Sequence, residues 1–167
     1  MIYEIKIKLE SPMLGQMEDG TKVKRFERTK DQDFIILSNE IFRWAVEEAV
    51  ALLKWDNLIS TVYMVEIMPI KRPTLMLYNR TYKDKISGNK KVTAHECIRS
   101  GAVLTMDLLT LNNLPKSAVE KNLKPPTKEE MQKIFEVIGK FFSISPWGSY
   151  TGKYGRFSLI SFEEKQI

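Results

Sequence analysis

The chain of 167 residues is long enough for one hydrophobic core, and 43% hydrophobic with 28% charged residues argue against a disordered tail or a membrane protein. A single cysteine and a single histidine exclude a disulfide framework and the usual zinc sites. Twenty-six basic against 21 acidic residues leave a net charge of +5, which permits nucleic acid as a partner.

The first ten residues alternate: Tyr3, Ile5, Ile7 and Leu9 against Glu4, Lys6, Lys8 and Glu10, the period of a half-buried strand. A strand at this position, with no basic segment followed by an apolar one, predicts no secretory leader. Ser11-Pro12-Met13-Leu14-Gly15 breaks it and opens a long insertion, about residues 11–38. Within the insertion, Lys22–Arg28 and Phe34–Leu37 are candidate short strands. Ser38 or Asn39 caps a helix running to about Lys54, with Ile41, Trp44, Ala45, Ala49, Leu52 and Leu53 on its apolar stripe. Residues 59–69 and 74–82 read as strands from their β-branched and aromatic content. Residues 91–98 and 102–111 read as two more, around Ser100-Gly101. Thr127-Lys128-Glu129-Glu130 is a capping box opening a helix whose apolar face runs from Met131 to Phe141 or Phe142. Residues 154–162 form the last strand.

This order predicts an α+β fold in a single domain over residues 1–167. The expected plan is ferredoxin-like, related to βαββαβ. Its antiparallel sheet holds 1–10, 59–69, 74–82 and 154–162, with two helices on one face. The long insertion follows the first strand, and 91–111 are in part an added hairpin.

Between the last helix and the last strand lies Gly148-Ser149-Tyr150-Thr151-Gly152-Lys153-Tyr154-Gly155-Arg156-Phe157. Glycines permit positive φ and close approach of backbone amides to a ligand, Lys153 and Arg156 supply charge, and Tyr150 and Tyr154 offer rings for stacking. The alternative is a tight connection whose glycines only permit the turn. The segment is neither a phosphate-binding P-loop nor a dinucleotide fingerprint, because it follows a helix and enters a strand. Ending in Gly-Arg-Phe, it resembles the glycine loop of the RAMP superfamily, the ferredoxin-like RNA-binding proteins of CRISPR effector complexes. Glu96-Cys97-Ile98-Arg99-Ser100-Gly101-Ala102-Val103-Leu104 resembles a second segment of that family. Leu9–Gly15 is similar to the exit from the first strand in small stand-alone phage and prophage proteins. The early histidine common in the family's processing nucleases is missing; His95 is the only histidine.

A second basic and aromatic cluster comprises Tyr78, Arg80, Tyr82, Lys83, Lys85, Lys90 and Lys91, opposed by Asp84. It reads as a groove edge for a phosphate backbone, or as a solvated hairpin tip whose lysines discourage edge pairing. Lys22, Lys24, Arg25, Arg28 and Lys30 read as a flexible charged loop, with a strand clamp around Phe26 as the alternative. His95 and Cys97 share one face of a strand while Glu96 points away, so His95 is a weak catalytic candidate and no catalytic residue is assigned.

The leading expectation is a non-catalytic protein that binds single-stranded nucleic acid through Gly148, Tyr150, Gly152, Lys153, Tyr154, Gly155 and Arg156 together with the Tyr78–Lys91 cluster. The resemblance favours RNA over single-stranded DNA. The alternatives are a phage-encoded interaction protein engaging or mimicking a CRISPR-type defence complex, and a metal-independent endoribonuclease built on His95. Self-association is a further possible partnership. No cofactor, metal or membrane is expected, and the expected compartment is the cytoplasm, the host's if the chain is phage-encoded.

Overall fold

A computed structural model of the chain describes residues 1–18, 20–55, 60–145 and 153–166. Chain order is β1 (Ile2–Leu9), β2 (Met13–Leu14), β3 (Val23–Lys24), β4 (Glu27–Arg28), β5 (Phe34–Ile36), α1 (Asn39–Leu53), α2 (Ser60–Tyr63), β6 (Met64–Ile67) and β7 (Ile70–Lys71). There follow β8 (Met76–Lys83), β9 (Lys90–Ile98), β10 (Val103–Thr110), α3 (Lys116–Glu120), α4 (Lys128–Val137), a π-helical turn (Ile138–Phe142) and β11 (Phe157–Glu164). The fold is α+β, with mainly antiparallel sheets.

The main sheet has the order β11-β1-β10-β6, with every neighbouring pair antiparallel. The alternation of β1 sends Tyr3, Ile5, Ile7 and Leu9 into the core, opposite Leu104, Met106 and Leu108 of β10. α1 and α4 close over them. Phe42 of α1 meets Phe135 of α4 at 5.9 Å between ring centres, and Phe135 meets Phe162 of β11 at 5.7 Å. Both helices start as their sequences dictate. Ser38 Oγ accepts from the Ile41 amide at 3.4 Å, and Thr127 and Glu130 exchange side-chain bonds with each other's amides at 3.1 Å.

Several expectations are corrected. Residues 74–82 do not join the main sheet: β8 pairs with β9 in a second sheet, and β10 takes the place beside β1. The cause is apolar content. β10 buries Leu104, Met106 and Leu108, whereas β8 reads Met-Leu-Tyr-Asn-Arg-Thr-Tyr-Lys and leaves Met76 and Leu77 exposed. The added hairpin is therefore β8–β9, and 91–111 divide between it and the main sheet. The strand expected over 59–69 is confined to Met64–Ile67 and preceded by a helical turn, because its partner β10 ends at Thr110, opposite Met64. The last helix widens into a π-turn after Val137. Gly139 sits in that turn, where a Cβ would lie 2.3 Å from the Phe157 carbonyl oxygen, so only glycine lets the turn approach β11 this closely.

The insertion is docked. Met13, Leu14, Phe26, Ile35 and Leu37 are buried, β2 and β3 both flank β9, and β5 stands between β4 and β7 in a third small sheet.

Candidate nucleic-acid interface

The β8–β9 hairpin pairs in continuous register from Met76↔Cys97 to Lys83↔Lys90. Its tip is closed locally. The Asp84 amide donates to the Asn89 carbonyl, the Gly88 amide to the Asp84 carbonyl, both at 2.8 Å, and Gly88 takes φ +71°. Lys91 Nζ lies 2.6 Å from Asp84 Oδ2, and this contact, with the Ile86 amide, holds the Asp84 carboxyl below its ordinary pKa. From Lys83 to Val92 every residue except Asp84 is exposed. Arg80, Lys83, Lys85, Lys90 and Lys91 against Asp84 give residues 80–91 a surplus of four positive charges, beside five for the whole chain. Lys83 directly faces Lys90, a cross-strand like-charge pair that a bound polyanion would relieve.

Tyr78, Arg80 and Tyr82 alternate onto one face of the hairpin, with His95 directly opposite Tyr78. His95 is fully buried, and its hydrogen bonds define its tautomer. Nδ1 lies 2.6 Å from the Gly15 carbonyl oxygen and must donate, while Nε2 accepts from Arg80 Nε at 3.2 Å. Burial pushes the imidazole pKa down, the Gly15 bond opposes this, and the charges of Arg80 and Lys24 add to the depression. The ring is a neutral strut that orients Arg80, whose guanidinium carbon stands 4.7 Å from the Tyr82 ring centre. Glu96 faces away, holding an ion pair with Arg28 and accepting from the Phe26 amide at 3.0 Å. His95, Glu96 and Cys97 do not converge on a reactive centre.

Of the glycine-loop residues named from sequence, Gly148, Tyr150 and Gly152 lie outside the described residues. Lys153 is exposed. Tyr154 is not an open stacking ring: it is buried with Leu14 and Cys97, edge-on to Tyr78 at 5.6 Å, with the two hydroxyls 3.4 Å apart. Burial first, then the Tyr78 hydroxyl, pushes its pKa up to about 12. Gly155 does not offer its amide to a ligand, since that group donates to the Pro12 carbonyl at 2.7 Å. Its φ of +68°, and Ser143 Oγ at 2.2 Å from the position of a Cβ, make glycine obligatory there for packing. The Arg156 amide donates to Ser11 Oγ at 2.9 Å, and its guanidinium donates to the Lys140 carbonyl, closing the π-turn. At Gly155 and Arg156 the glycines-for-the-turn reading therefore replaces the phosphate-cradle reading.

The two nominated segments nevertheless meet, through Tyr78 and Tyr154. A third basic segment joins them: β3 runs parallel to β9 with Lys24 beside His95. Of the two sequence readings of this segment, a short strand over Lys22–Arg28 and a flexible charged loop, the strand forms at Val23–Lys24. Among the described residues no group of three His, Cys, Asp or Glu side chains could hold a metal ion, and no helix is long and apolar enough to cross a membrane. No protein-family model matches the chain, and no curated protein matches it in sequence.

Proposed function

We propose that this protein binds single-stranded nucleic acid without catalysing its cleavage, through the tyrosine-bearing face and lysine-rich tip of the β8–β9 hairpin. The observation that carries the proposal is the concentration of charge. Residues 80–91 carry a net charge of +4 on one exposed hairpin, whose base contacts the end of the glycine loop at Tyr78–Tyr154. The main-sheet order β11-β1-β10-β6, with α1 preceding β6 and α4 preceding β11, supports a ferredoxin-like plan carrying β8–β9 as an addition. That plan agrees with the resemblance to the RAMP superfamily, which favours RNA as the ligand.

The interaction-protein alternative calls for a contiguous apolar patch. Leu77 and Val92 are both exposed on the hairpin, but Val92 pairs with Thr81, four positions along the strand from Leu77. The nuclease alternative loses its support at His95, whose two ring nitrogens are engaged inside the fold.

Fluorescence anisotropy on single-stranded RNA, single-stranded DNA and duplex, each at two salt concentrations, tests the proposal. Binding to single strands that weakens with salt is expected; a flat response on all three ligands refutes it.

A further inference from the structure

The hairpin's binding face does not end at β9. β3 lies along the other edge of β9 in parallel register, Val23 beside Ala94 and Lys24 beside His95. Tyr78 faces His95 from β8, so Lys24, His95 and Tyr78 form one row across three strands. Residues directly across a sheet share a face, which puts Lys24 on the side that carries Arg80, Tyr82 and Lys91. The electrostatics agree, since Lys24 and Arg80 both act on the buried His95 ring. Lys22, two positions before Lys24, is exposed.

Dimensions follow from strand geometry. The row of Tyr82 and Lys91 lies four residues from the row of Tyr78 and His95, about 13 Å at ordinary strand rise, and three strands span about 10 Å. Lys22, Lys24, Arg80 and Lys91 thus belong to one compact, cation-bearing patch drawn from segments some sixty residues apart in sequence. Two of these cations hold carboxylates at the patch margin: Lys24 lies 3.1 Å from Glu18, whose side chain is 74% exposed, and Lys91 pairs with Asp84. Each pair has one partner open to solvent, Glu18 at 74% and Lys91 at 53%, so each contributes modestly and competes with a phosphate for the cation.

The rings on this face are already engaged. Arg80 stands over Tyr82, and Tyr78 packs edge-on against Tyr154. What the face offers a strand is charge more than open π-surface.

We propose that Lys22 and Lys24 of the insertion form a third, phosphate-gripping strand of the hairpin's binding face, so that the site holds nucleic-acid backbone irrespective of base. The inference rests on the nucleic-acid reading above and adds both the residues and the mode of recognition.

The test is a salt series of affinities for an oligo(dT) strand and for an abasic strand of equal length. The proteins are wild type, Lys22→Ala/Lys24→Ala, Lys22→Arg/Lys24→Arg, the hairpin variant Lys83→Ala/Lys85→Ala/Lys90→Ala, and a control, Lys116→Ala/Lys121→Ala. The control lysines are exposed, at the start of α3 and just past its end, outside β3, β8 and β9. Each lost phosphate contact lowers the slope of log affinity against log salt by about 0.7 on a single strand. The Lys22/Lys24 alanine pair should therefore flatten the slope by about 1.4 relative to wild type, the arginine pair should restore it, and the control should leave it unchanged. The abasic strand should bind within about three-fold of oligo(dT), since stacking on even one base would separate them further. An alanine pair with the control's slope, while the hairpin variant loses binding, overturns the third-strand inference alone. An abasic strand that binds more than about three-fold worse overturns the backbone mode. Wild-type protein that binds no nucleic acid at all overturns the underlying reading. Matching thermal melts of all variants establish that each is folded.

Discussion

Replacing His95 with alanine removes a strut whose two ring nitrogens are both used inside the fold. The change deletes the bond from Nδ1 to the Gly15 carbonyl and the acceptor for Arg80 Nε. Each bond contributes about 0.5–1.5 kcal/mol net, with the higher end for the charged donor. The Gly15 carbonyl is left in a buried site, and the vacated ring leaves a void. Together these predict a loss of about 2–4 kcal/mol in unfolding free energy, measured by urea titration at pH 7.5. The pH dependence makes the forecast sharper. The folded state depresses the His95 pKa, chiefly through burial, so the unfolded chain binds the proton more readily than the folded one. The stability that neutral His95 supplies is complete above its unfolded pKa, near 6.5, and is lost as pH falls through 6.5 toward the lower folded value. The slope there is at most about 1.4 kcal/mol per pH unit. Wild type should lose stability below pH 6.5 with this component, and His95→Ala should lack it. Superimposable pH profiles for the two proteins refute the buried-neutral assignment.

Three further outcomes follow from the packing. Gly155→Ala places a methyl against Ser143 Oγ and Ser145 Oγ at a φ of +68°, and should cost at least about 2 kcal/mol, a fall of several degrees in Tm. Its folded fraction should bind nucleic acid as wild type does, whereas a selective affinity loss at constant Tm would restore the phosphate-cradle reading. Arg28→Ala strands Glu96 beside the Phe26 amide in a largely buried site and should cost about 2–3 kcal/mol by chemical denaturation. Arg28→Met/Glu96→Leu should recover most of that loss, and a double variant no better than the single one would show that the pair is not what Arg28 supplies. Gly139→Ala should push the π-turn off Phe157 and lower Tm by several degrees, and an unchanged melt would contradict the close approach.

Local physics made parts of this molecule legible and left others dark. The alternation of β1 and the Thr127–Glu130 capping box are self-contained signals, and both elements form where the residues place them. The assignment of 74–82 to the main sheet failed because strand propensity says nothing about which sheet a strand joins. β10 outcompetes β8 for the place beside β1 through the face of Leu104, Met106 and Leu108. The glycine loop shows a different limit. That Gly155 must be glycine is readable, but whether its amide meets a phosphate or the Pro12 carbonyl depends on a neighbour more than 140 residues away. Likewise Tyr154 looks like a stacking ring until Leu14, Cys97 and Tyr78 enclose it. Lys22 and Lys24 are legible as a basic patch with a strand clamp as one reading, but not as neighbours of the hairpin, because a two-residue parallel strand gains its place only from β9.

The central claim is that the tip of the β8–β9 hairpin carries the nucleic-acid contact. Charge reversal at three exposed positions, Lys83→Glu/Lys85→Glu/Lys90→Glu, tests it most directly, because these side chains lie outside the core. In 50 mM salt, anisotropy on a fluorescent single-stranded RNA should show affinity falling more than about a hundred-fold, with Tm within about 2 °C of wild type. A folded triple variant that binds the strand as tightly as wild type contradicts the account.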